Sequence, residues 1–284
     1  MGTVETYFSK ADAKIALELA ATSSPFNIEM RFLGGLTPSQ TDVFKEAADR
    51  WSKVVVGDLP TVKWKDDVID DLLILVEGQD IDGEGGILGQ AGPVKLRPAQ
   101  AGSSAYIPVV GEITLDTADL ALMEQKGILL DVVTHEIGHI LGFSSYIWNY
   151  KDLADLQDQA NPTFLGKAAK KEWGELKGTN VDTPVPLEAG GGPGTRFSHW
   201  RDTLFVNELM TGWVSPSPNP LSRLTVASLQ DIGHTVNLEE AERYALPNLM
   251  EMAESGALAE PERLLDMRML LPNIPTVLPP ETLI

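Results

Sequence analysis

Hydrophobic and polar residues follow two different periods in the first part of the chain. Residues 26–32 (FNIEMRF) alternate between the two types, which is typical of a half-buried strand. Residues 38–55 place apolar side chains on one helical stripe, and Thr37 followed by Pro38 is a typical helix start. The compact apolar run 71–76 (DLLILV) predicts a buried strand. The pattern therefore begins as strand, helix, strand.

The middle of the chain predicts short strands and then a long apolar helix. Residues 87–91, 106–110 and 112–115 favour short strands. Residues 127–143 are the most apolar helix candidate in the chain, and residues 224–232 predict a last helix. This order indicates an α+β unit followed by an irregular, mostly helical part.

Composition excludes several classes of function. The 284-residue chain has 22 Lys and Arg against 41 Asp and Glu, a formal net charge of -19. Such an acidic surface repels phosphate groups, so binding of nucleic acid or of an anionic membrane surface is disfavoured. No apolar stretch approaches the roughly 20 residues of a transmembrane segment. The chain has no Cys, so its chemistry has to use histidines, carboxylates, hydroxyls or a cofactor.

The N-terminus does not show the pattern of a secretory signal. The stretch that would have to serve, residues 11–21, is interrupted by Asp12, Lys14 and Glu18. Residues 1–24 instead predict a lead-in that contains a short amphipathic helix. The sequence leaves the compartment open.

The long apolar helix carries the motif THEIGH at residues 134–139. His135 and His139 stand four positions apart and therefore share one helix face, where two imidazoles can bind one metal ion. Glu136 projects beside that point and can accept a proton from a metal-bound water without binding the metal itself. Burying these side chains without partners would be costly in free energy, so the motif favours a zinc site over an ordinary core helix.

A catalytic zinc needs a third protein ligand, and spacing alone leaves two candidates open. One is a glutamate on a later helix, either Glu172 or Glu175. The other is a third histidine, because Gly142 allows the chain to turn just after the motif. The next histidine, His199, follows a long insertion, but the entropy of closing such a loop grows only logarithmically with its length. We favour His199.

These motifs together resemble the leishmanolysin-like branch of the metzincin zinc proteases. The resemblance rests on HEIGHILGF, a long insertion, FSHW and then NELMTGW, within residues 135–213. The upstream segment 24–51 and the downstream segment 219–237 also resemble bacterial members. The likeness covers about residues 25–238, and the combination of motifs is highly specific.

This resemblance implies a role for each residue of the motifs. It makes His135, His139 and His199 the zinc ligands, Glu136 the general base, and Met210 the methionine of a turn beneath the metal. It also implies that proteins or peptides are the substrates, and it is compatible with an extracellular location. Latency through a cysteine does not carry over, because the chain has no Cys.

The resemblance also implies the architecture. We expect an α+β, metzincin-like fold, in which a twisted mixed β-sheet and an active-site helix precede a mostly helical or irregular C-terminal subdomain. The chain then divides into an N-terminal lead-in at 1–24, an upper catalytic subdomain at 25–142, a lower catalytic subdomain at 143–245 with the third histidine and the methionine turn, and a C-terminal tail at 246–284.

A glycine-rich acidic loop at residues 78–86 predicts a structural Ca²⁺ site. Hard cations prefer carboxylate and carbonyl oxygens, and the candidate ligands are Asp82, Asp116 and Asp119. The alternative is a solvated acidic turn. The strand after this loop resembles the metzincin edge strand, which would bind an extended peptide through main-chain hydrogen bonds, and its residues are Leu88, Gly89, Gln90 and Ala91.

The sequence therefore predicts a zinc metalloendopeptidase in which Glu136 activates a zinc-bound water. One alternative keeps the protease and takes a glutamate as third ligand. The other is a zinc-stabilised peptide-binding or adhesion module without turnover. An intact Glu136 argues against the last alternative, because a scaffold needs no general base.

Overall fold

The structure, a computed structural model, describes residues 4–85, 88–192, 194–216, 218–254, 265–266 and 274–284. The first half of the chain contains most of the strands, and its elements are β1 (Glu5–Lys10), α1 (Ala13–Ala20), β2 (Asn27–Gly34), α2 (Pro38–Val54), β3 (Val62–Trp64), β4 (Asp67–Ile69), β5 (Leu72–Gln79), β6 (Gly89–Leu96), β7 (Pro108–Asp116), α3 (Thr117–Lys126) and α4 (Leu129–Ile140).

The second half of the chain contains short strands between helices. Its elements are α5 (Ser145–Tyr150), β8 (Ala154–Asp155), β9 (Thr163–Phe164), α6 (Lys167–Leu176), β10 (Val185–Pro186), α7 (Asp202–Phe205), β11 (Trp213–Val214), α8 (Arg223–Ile232), α9 (Leu249–Glu254), β12 (Leu265–Asp266) and β13 (Thr276–Val277). The predicted α+β class is confirmed. Within the described ranges, no helix has both the length and the apolar character that crossing a bilayer requires.

One mixed sheet frames the first half of the molecule. Among the described residues it has six strands in the order β1-β2-β5-β7-β6-β13. Strands β2, β5 and β7 are parallel to one another, β1 runs antiparallel to β2, and β6 runs antiparallel to β7. Helices α2 and α4 pack against each other and against this sheet. The predicted mixed sheet is thus present, with the motif helix directly against it.

Helix α2 forms for the reasons that its sequence indicates. The Thr37 hydroxyl accepts from the N–H of Gln40, and the Gln40 side chain accepts from the N–H of Thr37, so both form a capping box before Pro38. The apolar stripe of the helix is fully buried and includes Phe44 and Trp51. Burial of such aromatic side chains stabilises the fold by roughly 2–3 kcal/mol each.

The N-terminal segment 1–24 differs from the expected lead-in, because β1 is an edge strand of the main sheet. Its anchoring contacts are polar. The Ser9 hydroxyl donates to Asp49 at 2.6 Å and forms a second hydrogen bond with the Ser52 hydroxyl at 2.8 Å, and the Tyr7 hydroxyl also donates to Asp49. A strand held by such contacts leaves little hydrophobic pattern for sequence analysis to detect.

The C-terminal residues 274–284 lie against the far end of the same sheet. β13 pairs in parallel with Lys95 and Leu96 of β6, and the N–H of Leu278 donates to the carbonyl of Leu96 at 2.9 Å. Leu278 and Leu283 pack on a small second core that includes Val62 and Val109. This part of the expected tail therefore contributes to the folded body.

His234 is a buried histidine outside the motif. It follows α8, and its Nε2 donates to the carbonyl of Leu141 at 2.8 Å, while its Nδ1 has no partner among the described residues. Burial lowers the pKa of His234 to about 4. The ring is therefore neutral in the folded chain at neutral pH.

We expect the stabilising contribution of His234 to be lost as the pH falls. An unfolded histidine has a pKa of about 6.5, so between about pH 6.5 and pH 4 the unfolded chain binds a proton that the folded chain does not, and the free energy of unfolding falls. In urea unfolding, the stability advantage of the native chain over His234→Gln should shrink by about 2–3 kcal/mol between pH 7.5 and pH 4.5.

The three other histidines are common to both proteins, so their titration cancels in this comparison. An advantage of the same size at both pH values would contradict the prediction.

Candidate metal centre

Helix α4 presents two imidazoles on one face. His135 and His139 are one helical turn apart and are 2% and 8% exposed. The opposite side of the helix is apolar and fully buried. The indole of Trp51 donates to the carbonyl of Thr134 at 2.8 Å and thereby ties α4 to α2. The two rings thus project from a helix whose position is fixed by the core.

The chain leaves α4 by a sharp turn and returns with a third histidine. Gly142 has a φ of 112°, a conformation that favours glycine. The returning segment is held by two backbone hydrogen bonds: Glu188 N–H to the carbonyl of His199 at 2.9 Å, and Trp200 N–H to the carbonyl of Met210 at 3.0 Å. His199 is 1% exposed and faces the two rings of α4.

The Nε2 atoms of the three histidines converge. They lie 2.9 Å apart between His135 and His139, 3.1 Å between His135 and His199, and 3.1 Å between His139 and His199. Two nitrogen ligands of a tetrahedral zinc lie about 3.3 Å apart, for bonds of roughly 2.0–2.1 Å. The spacing therefore fits one metal ion within a few tenths of an ångström, and the three residues could hold one.

Each ring is held from behind by a hydrogen bond on its other nitrogen. Nδ1 donates to a backbone carbonyl in every case: His135 to Leu209 at 2.7 Å, His139 to Phe143 at 2.6 Å, and His199 to Thr195 at 2.8 Å. These bonds place the proton on Nδ1 and leave a lone pair on each Nε2. Three lone pairs directed at one point repel each other, so the donor set fits a cation.

Burial also keeps the imidazoles in the form that binds metal. It lowers the pKa of His139 to about 3 and that of His199 to about 4, and it lowers the pKa of His135 well below its ordinary value. The neighbouring rings add to this decrease for His135 and His139. All three are neutral at pH 7, which metal ligation requires.

Glu136 is the chemically unusual residue of the centre. It is fully buried beside the first histidine, and neither of its carboxylate oxygens has a hydrogen-bond partner among the described residues. Burial raises the pKa of Glu136 to about 8. A buried carboxylate without partners is costly in free energy, so this group is arranged for something other than folding stability.

Met210 packs against α4 at Gly138 and explains this glycine of the motif. Met210 is fully buried, and a Cβ atom on Gly138 would lie 2.8 Å from the Met210 sulfur and 3.2 Å from the Trp51 ring. Gly138 lowers the intrinsic stability of α4 by roughly 1 kcal/mol relative to Ala. The close approach of the methionine accounts for that cost.

The two glutamates considered as a third ligand belong to another part of the molecule. Glu172 forms an ion pair with Arg223 at 3.1 Å, and Glu175 lies 3.6 Å from Lys171. Both line a cavity of about 380 Å³ together with Tyr244. Neither belongs to the histidine group among the described residues.

Comparison with known proteins decides the family. A family model described as leishmanolysin matches residues 99–250, which is more than half of the chain and includes the three histidines, Glu136 and Met210. The chain belongs to the leishmanolysin family. The resemblance drawn from the motifs is confirmed, and the α+β fold with its mixed sheet agrees with a metzincin-like member.

Curated relatives carry the same family name. A leishmanolysin homolog from Crithidia fasciculata is 31% identical over 138 residues, which are 45% of this chain and 20% of the relative. A leishmanolysin-like peptidase from Caenorhabditis briggsae is 29% identical over 181 residues, 48% of this chain and 27% of the relative. A leishmanolysin-like peptidase from Drosophila melanogaster is 24% identical over 172 residues, which are 44% of this chain and 25% of the relative. The chain thus spans between 20% and 27% of these relatives.

The calcium site predicted for this leishmanolysin-family chain finds no support. Asp116 uses one carboxylate oxygen to accept the N–H groups of Ile81, Asp82 and Gly83, and the other to cap α3. Burial alone would raise the pKa of Asp116, but the hydrogen bonds from these backbone N–H groups outweigh it and lower the pKa to about 2. Asp119 accepts from the N–H of Gly85 at 2.9 Å. Asp116 and Asp119 thus hold the loop through backbone N–H groups, which act here as the donors that a cation would otherwise replace.

The predicted edge strand lies at one border of the sheet. Leu88 directly precedes β6, in which Gly89, Gln90 and Ala91 pair with β7 on one side. On the other side of β6, β13 pairs with residues 95–96. No described strand covers the outer side of Gly89–Ala91, so its backbone groups are placed to pair with an added strand.

Sequence reasoning missed the partners of the three rings. The carbonyls of Phe143, Thr195 and Leu209 orient the ligands, but any residue type supplies a carbonyl, so these positions have no sequence signature. Glu208 was also missed, although an acidic residue two positions before the methionine of the turn was a visible signal.

We expect Gly138→Ala to destabilise the chain by about 1–2 kcal/mol, although alanine is the better helix former. The added methyl group would overlap the Met210 sulfur and press on Trp51. Urea unfolding measures the effect.

Gly192→Ala is the control, because no atom of the described residues lies within 4 Å of its added Cβ. Its stability should change by less than about 0.5 kcal/mol. The cost of Gly138→Ala should also decrease in a Met210→Leu background. Equal costs in both backgrounds would show that the close contact does not explain the glycine.

Proposed function

We propose that the chain is a zinc-dependent metalloendopeptidase. The observation that carries the proposal is the convergence of three Nε2 atoms at the helix that also carries Glu136, a buried carboxylate with no hydrogen-bond partner among the described residues. The family match and the peptidase names of the relatives support the reaction class. In this proposal His135, His139 and His199 hold the zinc.

Zinc bound by these three rings supplies Lewis acidity, which makes a carbonyl more electrophilic and a water more acidic. A catalytic zinc has three protein ligands and keeps its fourth position for water or substrate, and these three rings would supply the three protein ligands. The carbonyls of Leu209, Phe143 and Thr195 keep the rings oriented during turnover.

Glu136 is the proton carrier in this proposal. Its oxygens accept a proton from the attacking water and then deliver it to the nitrogen of the departing amine. Its place directly after His135 holds it beside the metal without making it a ligand. A bound cation beside Glu136 would favour its ionised form, which is the form that can accept the first proton.

The substrates in this proposal are extended or unfolded protein segments. The uncovered side of Gly89–Ala91 offers main-chain donors and acceptors to such a segment. The strongly acidic chain, with its net charge of -19, favours cationic over anionic peptides in the first encounter. Nucleic acids are not expected partners.

Glu136→Gln should abolish cleavage while zinc stays bound. The amide cannot accept and return a proton, so we expect kcat for a peptide substrate to fall by about 10²–10⁴-fold. Zinc content by mass spectrometry should remain at the wild-type value. Glu172→Gln, which changes a buried carboxylate remote from the centre, should keep most of the activity.

Two outcomes would contradict the assignment. Unchanged cleavage by the Glu136→Gln variant would remove the proposed proton carrier. A wild-type chain that binds zinc and peptides but cleaves no member of a broad peptide library would favour the binding-module alternative.

His199→Ala should lose zinc, whereas Glu172→Ala and Glu175→Ala should retain it. Removing one of three ligands leaves a pair of imidazoles, which bind zinc much more weakly. Metal analysis after dialysis against a weak chelator measures the difference. Retention of zinc by His199→Ala together with its loss in a glutamate variant would establish the glutamate-ligand alternative instead.

A further inference from the structure

A second buried carboxylate, Glu208, lies close to the centre and takes no part in the proposed chemistry. It is fully buried, and none of the ion pairs between described residues includes it. An unpaired carboxylate in the core is costly in free energy unless hydrogen-bond donors replace the lost water. Its surroundings therefore show what it stabilises.

Four donors from two chain segments surround Glu208. One carboxylate oxygen accepts the N–H of Met210 at 2.6 Å. The other accepts the Ser222 N–H at 3.2 Å, the Ser222 hydroxyl at 2.6 Å and the Thr225 hydroxyl at 2.5 Å. Burial raises the pKa of Glu208, and these hydrogen bonds oppose the rise. The carboxylate thus links the methionine turn to the first turn of α8.

The bond to Met210 acts directly on a ligand. The N–H of Met210 and the carbonyl of Leu209 belong to the same peptide group, which is planar, so fixing one fixes the other. That carbonyl accepts the Nδ1–H of His135 at 2.7 Å. A negative charge on the N–H side also polarises the peptide group and makes its carbonyl a stronger acceptor. Glu208 therefore acts on His135 through one peptide unit.

A second branch reaches the third histidine. The Thr225 hydroxyl, which donates to Glu208, accepts the indole N–H of Trp200 at 2.8 Å. Trp200 follows His199 directly, and its backbone N–H donates to the carbonyl of Met210 at 3.0 Å. The same carboxylate thus supports segments that carry two of the three rings.

We propose that Glu208 is a positioning residue of the metal centre, which orients His135 through the Leu209–Met210 peptide and the His199 segment through Thr225 and Trp200. This inference rests on the proposed zinc site. A metal-ligating histidine commonly donates its second nitrogen to a carboxylate, and here a peptide group stands between the two.

The test is zinc affinity, measured by competition with a chromophoric chelator well below the unfolding temperature. Glutamine at position 208 is neutral and cannot accept from every donor on both sides. We expect Glu208→Gln to weaken zinc binding by about 10- to 100-fold, the range seen when partners of metal ligands are removed. Thr225→Val, which breaks only the second branch, should weaken it less.

Glu172→Gln is the matched control. Glu172 is also a buried carboxylate in the second half of the chain, 5% exposed, and the side chain of its partner Arg223 donates to Glu172, Glu239 and the carbonyl of Leu238. A role in folding alone predicts that both variants lose stability and keep zinc affinity. The positioning role predicts a loss of affinity for Glu208→Gln alone, with the control within about twofold of wild type.

NMR of the imidazole N–H protons gives an independent readout. The Nδ1–H signal of His135 should shift in Glu208→Gln, while that of His139, which donates to Phe143, should stay in place. If Glu208→Gln does not fold, Ser222→Ala and Thr225→Val replace it, and each should weaken zinc binding measurably.

Wild-type zinc affinity in Glu208→Gln, or an unmoved His135 signal, would overturn the inference while leaving the proposed function intact. If Ser222→Ala and Thr225→Val are used instead, wild-type zinc affinity in both variants would also overturn the inference. A wild-type chain that binds no zinc would instead refute the proposed function itself.

Discussion

The metal centre depends on three backbone carbonyls that each hold one imidazole by its Nδ1 proton. Without these bonds the rings could rotate or change tautomer, and their Nε2 lone pairs would not converge. The carbonyls come from the turn after α4, from the loop before His199 and from the turn that contains Met210. The sheet and α2 fix α4, and the second half of the chain brings the other two carbonyls to it.

Local sequence signals are sufficient to predict a helix or strand wherever that element buries one apolar face. The helix start at Thr37 and the apolar stripe of α2 agree with the structure almost residue by residue. Such signals are insufficient where polar contacts with residues distant in the sequence determine where an element forms. β1 is held through Asp49, far along the chain, and α3 begins at Asp116, whose carboxylate also binds a preceding loop. No periodicity reports such contacts.

The candidate site shows the same division. Histidines are rare in this chain, so a pair at helical spacing and a distant third ring are recognisable from the residues alone. The calcium prediction for Asp116 finds no support. A carboxylate next to a glycine-rich loop suits backbone N–H groups as well as a calcium ion, and the sequence does not distinguish the two. An acidic residue two positions before Met210 is visible in the sequence, but the role proposed for Glu208 is not, because it acts through a peptide group to which it does not belong.

The contact between Gly138 and Met210 has a mechanical consequence. The sulfur lies so close to the backbone of α4 that the helix from the first half and the turn from the second leave no gap between them. The two halves are thus joined at the histidine motif itself, and a hinge there would have to separate close-packed atoms. Any movement that opens the candidate metal centre therefore has to arise in the segments around it, while this contact stays rigid.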